Sequence, residues 1–170
     1  MIRNAQVTDM PAVLQIHNHA IATSTALWTD TQVDLAEREL WFNERTAAGY
    51  PIIVAVDEND EVLGYASYGQ WRAKEGYRQS VEHSVYVRDG QQGKGLGKSL
   101  LQALIEIARQ RDVHVMVAGI EAENLASIAL HQKFGFQHVG TFTEVGQKFG
   151  RWLDISFLQL ILDDRKTPQA

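Results

Sequence analysis

The 170 residues are 45% hydrophobic and 22% charged, the balance of a globular protein with one core of its own. There is no cysteine, which removes disulfides, thiolate metal sites and a cysteine nucleophile from consideration. Sixteen Lys and Arg against 21 Asp and Glu leave a net charge of −5, so no nucleic-acid partner is expected. No run nears the roughly 18 apolar residues of a membrane span, so no membrane partner is expected either.

The opening residues 1–6 are followed by no apolar segment of the signal-peptide kind. With the missing cysteines, this fits a reducing, cytoplasmic setting. Residues 1–162 read as a single domain, and the polar stretch 163–170, with Pro168, as a flexible tail.

In chain order, residues 2–6 form a short strand candidate. Thr8 or Asp9 is placed to cap a helix reaching about residue 19, with Pro11 in its first turn. Val13, Leu14, Ile16 and Ala20 would be its buried stripe. A polar loop over 23–31 carries Leu27 and Trp28. Asp34 and Glu37 stand at capping-box spacing and open a second helix to about Ala48, ended by Gly49. Residues 52–56 and 62–68 alternate as strands around the acidic turn 57–60. Residues 78–87 are another strand, with Val81, His83, Val85 and Val87 on one face. A glycine-rich stretch precedes a helix over 96–110, and 113–120 is a continuous apolar strand. A helix over 124–134 stops at Gly135. The last strands, 137–145 and 152–162, flank a glycine-rich connection. The order βααβββαβαββ describes an α/β (α+β) domain, a mixed central sheet flanked by helices.

The stretch Gln91-Gln92-Gly93-Lys94-Gly95-Leu96-Gly97-Lys98-Ser99 carries the most information. It follows a strand and opens a helix with an apolar stripe of Leu96, Leu100, Leu101, Leu104, Ile105 and Ala108. Glycines at alternate positions leave backbone N–H groups free to converge, and the helix start adds unsatisfied donors and positive potential. That suits a pyrophosphate, with Lys94 and Lys98 adding charge. A Walker A loop would need glycine where Gln92 stands. A dinucleotide fingerprint would need glycine at Lys98, or glycine or alanine at Leu100. What fits is Gln92-x-x-Gly95-x-Gly97.

Following the strand Ser84-Val85-Tyr86-Val87, that loop resembles the acetyl-CoA pyrophosphate loop of the GNAT N-acetyltransferases. The segment Glu123-Asn124-Leu125-Ala126-Ser127 with Leu130-His131-Gln132-Lys133-Phe134-Gly135-Phe136 resembles a second motif of that family, and the element order agrees. Trp71-Arg72, Val81-Glu82-His83-Ser84-Val85-Tyr86-Val87 and Val145-Gly146-Gln147-Lys148-Phe149-Gly150-Arg151-Trp152 resemble the branch that acetylates phosphinothricin, methionine sulfoximine and methionine sulfone. The resemblance implies the GNAT acyl-CoA N-acyltransferase fold, acetyl-CoA as co-substrate, a small amine as acceptor and a homodimer.

Transfer needs a neutral amine, and an α-amine near pH 7 is mostly protonated. Glu82, facing away from Val81, His83 and Val85, is the expected base, directly or through a water. His131 stands where many relatives have a tyrosine that serves the leaving thiolate, and a histidine donates in the same way. An oxyanion donor is expected from a backbone N–H near Val85 or Val87, where the family has a bulge. Val85, Tyr86, Val87, Gln92, Gly93, Lys94, Gly95, Leu96, Gly97 and Lys98 are the expected acetyl-CoA contacts, joined by Asn124, Ser127 and Lys133. For the acceptor, Arg72 offers a cationic fork to a carboxylate, with Lys74, Glu75, Glu82, His83, Ser84 and Trp28 around it. Arg151 and Trp152 are further candidates, from a neighbouring subunit. No histidine spacing suits a metal: His17 and His19 lie two apart on a helix and diverge. Two other readings stay open. One has a protein or polyamine acceptor, and the other is a non-catalytic acyl-CoA sensor.

Overall fold

Strand alternation and helical stripes place the elements in the expected order in the computed structural model, which describes residues 1–168. They are β1 (Ile2–Asn4), α1 (Met10–Thr23), α2 (Leu35–Ala47), β2 (Ile52–Val56), β3 (Val62–Gln70), β4 (Ser80–Val87), α3 (Leu96–Arg109), β5 (Val115–Glu121), α4 (Leu125–Lys133), β6 (Gln137–Lys148) and β7 (Arg151–Ile161). Short 3-10 turns at Val7–Asp9 and Glu75–Tyr77 precede α1 and β4. Residues 169 and 170 of the expected tail lie outside the described residues. Upstream of them, Arg165 pairs with Asp112 and Asp163.

One seven-stranded sheet runs β1-β2-β3-β4-β5-β7-β6. Neighbours are antiparallel except β4 and β5, the pair that the α3 crossover joins. The stripe of α3 buries Leu100, Leu101, Leu104, Ile105 and Ala108 against Val81, Met116, Ala118 and Leu158 on one sheet face. At about 1.5–3 kcal/mol per buried large aliphatic side chain, this single helix contributes much of the core. The other face takes Met10, Val13 and Ile16 of α1 with Trp41 and Phe42 of α2, over Val54, Val62 and Tyr65.

Three local readings change. Asp9 stands before α1 but makes no side-chain cap, because its carboxylate takes Arg3 at 2.8 Å and the Gln6 amide at 2.7 Å instead. α1 runs on to Thr23, burying Ile21 and leaving Leu14 only half-buried. The glycine-rich connection before the last strand is itself strand as far as Lys148, turned by Phe149 and Gly150 at φ 52° and 74°. Strand pairing with β7 outweighs the turn propensity of Gly146 there.

The β4–β5 ladder has the rungs Ser80–Val115, Val81–Met116 and Glu82–Val117, and the two strands then part. Pairing of β3 with β4 is regular from Gln70–Val81 to Gly64–Val87, with no shift in register. The bulge implied by the family resemblance is therefore absent from this pair. The parting of β5 opens the sheet instead.

Candidate active site

Where β4 and β5 part, a cleft of about 660 Å3 opens through the sheet. It is lined by His83 to Val87 of β4, Ala118 to Glu121 of β5, the starts of α3 and α4, and the loop residues Thr25 to Trp28. The ladder decides which backbone groups face it. The Arg88 amide donates to Leu63, and Ser80 accepts from Trp71, so the even residues of β4 bond to β3. Past the last rung, the odd residues Val85 and Val87 turn their peptide groups toward β5, which is no longer there to receive them. The splay thus leaves a row of backbone donors and acceptors on the cleft wall.

Glu82 sits at the last paired rung. On the shared face, its carboxylate leans over β5 at Gly119, where a Cβ would lie 3.0 Å from Oε1. A side chain at position 119 would crowd the carboxylate. Solvent enters Glu82 through the open cleft, yet the surrounding protein desolvates it enough to raise its pKa above the ordinary carboxylate value. The positive charge of Arg72 works in the opposite direction.

On the other sheet face His83 meets His131 of α4, with Nε2 atoms 2.9 Å apart. His83 Nδ1 faces the Val117 carbonyl at 3.0 Å, and His131 Nδ1 faces that of Ser127 at 2.7 Å. A carbonyl only accepts, so each ring is best served with its proton on Nδ1. The Nε2 lone pairs then confront each other, and only a proton placed between them makes the contact attractive. Burial holds both rings below the ordinary histidine pKa, His83 at about 3. With the charged form disfavoured, the proton between the rings is the Nε2–H of one neutral imidazole.

The glycine loop arrives as a turn: Gly93 and Gly95 have φ of 77° and 81°, and a Cβ on either would meet nothing within 4 Å. Gly95 begins α3 without any side-chain cap, so the first amides of the helix keep their hydrogen-bonding capacity. Gly97, in the first turn, lines the cleft, and a Cβ there would come within van der Waals range only of Val87. This open, uncapped, positive end fits the pyrophosphate of acetyl-CoA, and the bared peptide groups of β4 fit an extended amide-bearing arm.

The expected contacts divide. Glu82, His83, Ser84, Val85, Tyr86, Val87, Gly97, Asn124, Ser127, His131 and Trp28 all line the cleft. Asn124 also caps α4, accepting from the Ser127 amide at 3.1 Å. Gln92, Gly93, Lys94, Gly95, Leu96 and Lys98 lie beyond the lined volume, at and just before the α3 N-terminus, where Lys94 donates to Gln91. Lys133 is exposed at the end of α4. Arg72, Lys74 and Glu75 lie on an exposed segment outside the lining, with Arg72 5.0 Å from the Trp71 ring centre. Arg151 pairs with Glu123, and Trp152 is exposed outside the cleft of this chain.

The sequence does not show the roles of several other residues of the site. Arg45 and Gly69 line the cleft beside Glu82. Lys148, buried at 3% exposure, donates to the carbonyls of Ile21, Ser24 and Leu27 at 2.6, 2.7 and 2.6 Å. It ties the loop that bears Trp28 to β6. Trp28 packs on Gly146, where any Cβ would collide with the indole ring. The run Val145 to Trp152 signalled these two residues, but only contacts across the chain give them a purpose.

Among the described residues no cluster of three or more His, Asp or Glu side chains is placed to hold a metal ion. No helix there is long and apolar enough to cross a membrane.

Comparison with known proteins agrees with this geometry. The L-methionine sulfoximine/L-methionine sulfone acetyltransferase of Pseudomonas aeruginosa is 59% identical, over 98% of this chain and 96% of that protein. The structure of yncA from Salmonella typhimurium with its cofactor acetyl-CoA superposes with a TM-score of 0.97 at 49% identity, over 100% of this chain and 98% of that one. A GNAT superfamily phosphinothricin acetyltransferase from Sinorhizobium meliloti, in complex with acetyl-CoA, gives 0.96 at 34% identity, over 99% and 92%. The sequence matches the acetyltransferase (GNAT) domain over residues 2–157. With this fold, this glycine loop and these relatives, the chain belongs to the GNAT acetyltransferase family.

Proposed function

We propose that this enzyme acetylates the α-amine of small amino-acid analogues such as L-methionine sulfoximine, L-methionine sulfone or phosphinothricin. The observation that carries the reading is the position of Glu82. A carboxylate with a raised pKa stands at the last rung before the strands part, beside a row of open backbone groups. The names of the relatives support the acceptor class.

Bound acetyl-CoA would supply the activated acetyl group as a thioester. Its pyrophosphate would be held by the amides of Gly93 to Gly97 at the start of α3, with Gln92, Leu96, Lys94 and Lys98 around them. Its arm would lie along Val85, Tyr86 and Val87, near Asn124 and Ser127. Lys133, on α4, offers a further charge. The amide of Val85 or Val87 points into the splay and can donate to charge developing on a carbonyl oxygen. Glu82 takes the amine proton, directly or through one water, and its raised pKa suits a base working near neutrality. His131, backed by His83, gives a proton to the departing sulfur. Trp28 walls the acceptor side, and Arg72 tunes Glu82 from outside the lining. The exposed Phe142, Val145, Phe149 and Trp152, on β6, β7 and the turn between them, support a homodimer, and the acceptor class supports a cytoplasmic detoxifying role.

The test is thiol release from acetyl-CoA with methionine sulfoximine, methionine sulfone, phosphinothricin, methionine, spermidine and a lysine peptide. Turnover is expected on the amino-acid analogues. Turnover on the peptide or polyamine alone would overturn the acceptor class, and silence throughout would favour an acyl-CoA sensor.

A further inference from the structure

Arg45 is a half-buried cation without an acid. Among the described residues, every other arginine that is buried or half-buried pairs with an aspartate or glutamate, namely Arg3, Arg38, Arg88 and Arg165. Arg45 has neither an ion pair nor a side-chain hydrogen bond among those residues. Its guanidinium has the rings of Trp41 and Tyr50 for neighbours, 5.8 and 5.9 Å from their centres. Burial pushes its pKa down, the mark of a charge lacking its counter-ion.

The fold goes to some length to place it. Arg45 reaches from α2 over β3 and fills the space where residue 69 would carry its side chain, so that a Cβ there would collide with Nη1. Gly69 is the residue directly across the ladder from Glu82. Side chains of a directly opposed pair share a face. Arg45 and Glu82 therefore lie on the same side of the sheet, and both line the cleft. They lean apart, however, the guanidinium over β3 and the carboxylate over Gly119 of β5. With β4 between them, and Gly119 two residues beyond the partner of Glu82, the heads stand two strand spacings apart and offset along the strand, roughly 9–12 Å.

That gap matches an α-amino acid. Its carboxylate and amine are carried on one carbon, about 3 Å apart. A hydrogen bond of about 2.8 Å at each end, with one water between amine and Glu82, spans about 11 Å when straight and less when bent. Resting on the acceptor class proposed above, we infer that Arg45 is the carboxylate anchor of the acceptor, gripping it while Glu82 faces its amine. The enzyme then selects free α-amino acids over their amides and over simple amines. A planar guanidinium matches a carboxylate with two parallel donors, a geometry that lysine lacks. Arg72, exposed and outside the lining, is the competing cation.

The experiment compares L-methionine sulfone with its carboxamide, measuring kcat and KM for each and KM for acetyl-CoA. The wild type should prefer the acid. Arg45→Gln should raise the KM of the acid tenfold or more and leave the KM of the carboxamide and of acetyl-CoA near wild type, collapsing the acid-to-amide ratio. Arg45→Lys should keep part of the ratio, and it serves as the readout if the glutamine variant folds poorly. A ratio unchanged in either variant, with a collapse in Arg72→Gln, overturns the anchor and leaves the acetyltransferase reading standing. A wild type that acetylates only amines without a carboxylate overturns both.

Discussion

Replacing Lys148 by methionine removes a charge that Asp30 balances only at a distance, with no carboxylate in salt-bridge contact. The ammonium donates to three carbonyls, those of Ile21, Ser24 and Leu27, at the end of α1 and in the loop beyond it. Hydrogen bonds from a charged donor contribute about 1.5–3 kcal/mol each, and stranded carbonyls add to the loss. Against this, the variant no longer desolvates an ammonium, a cost of several kcal/mol that already shows as a lowered lysine pKa. Methionine also keeps most of the aliphatic stem in place. The balance is a loss of about 2–4 kcal/mol, or roughly 4–16 °C in melting temperature for a domain of this size. The freed loop carries Trp28, so the KM of the acceptor should rise while that of acetyl-CoA stays put. Calorimetry and steady-state kinetics on the same preparation read both. A melting point within about 2 °C of wild type together with an unchanged acceptor KM would refute the latch.

Gly97→Ala should separate stability from binding. The added methyl meets only Val87 at 3.7 Å, within ordinary contact, and alanine favours the helix by up to about 1 kcal/mol. The melting point should therefore hold or rise while the KM of acetyl-CoA increases, because the methyl enters the cleft. Arg72→Gln should move the pH profile of kcat/KM. Glu82 acts ionised, so activity rises with pH through its pKa, and the Arg72 charge lowers that pKa. Without the charge the rising limb should shift to higher pH. A shift to lower pH, or none, would show that Glu82 does not set the limb.

The features legible in the sequence are those with a local cause. Helical periodicity in Leu96, Leu100, Leu101, Leu104, Ile105 and Ala108 marked α3 within a residue of its observed end. Asp34 reads as a cap from its spacing to Glu37, and it does accept the Glu37 amide at 2.9 Å. Strand alternation put Glu82 on the face opposite Val81 and His83 before any pairing was known. The glycine loop announced a turn into a helix, because alternate glycines and an apolar stripe allow little else.

The tertiary structure decided what depends on residues distant in the chain. The rung at which β4 and β5 part is a property of two strands together, and it turned a strand carboxylate into a residue of a cleft. His83 and His131 lie 48 positions apart and meet only because the fold brings α4 to the His83 face of β4. Lys148 sits 127 positions from Ile21, and its neighbours read as a loop until pairing with β7 carried β6 past them. Nothing local to α2 marks Arg45, which takes its place only because Gly69, on another element, leaves it room. Composition, periodicity and caps act within a few residues of their cause, and so the order of elements is written along the chain. Register, splay and the company that a charge keeps arise only when distant segments share one core, and here they make the site.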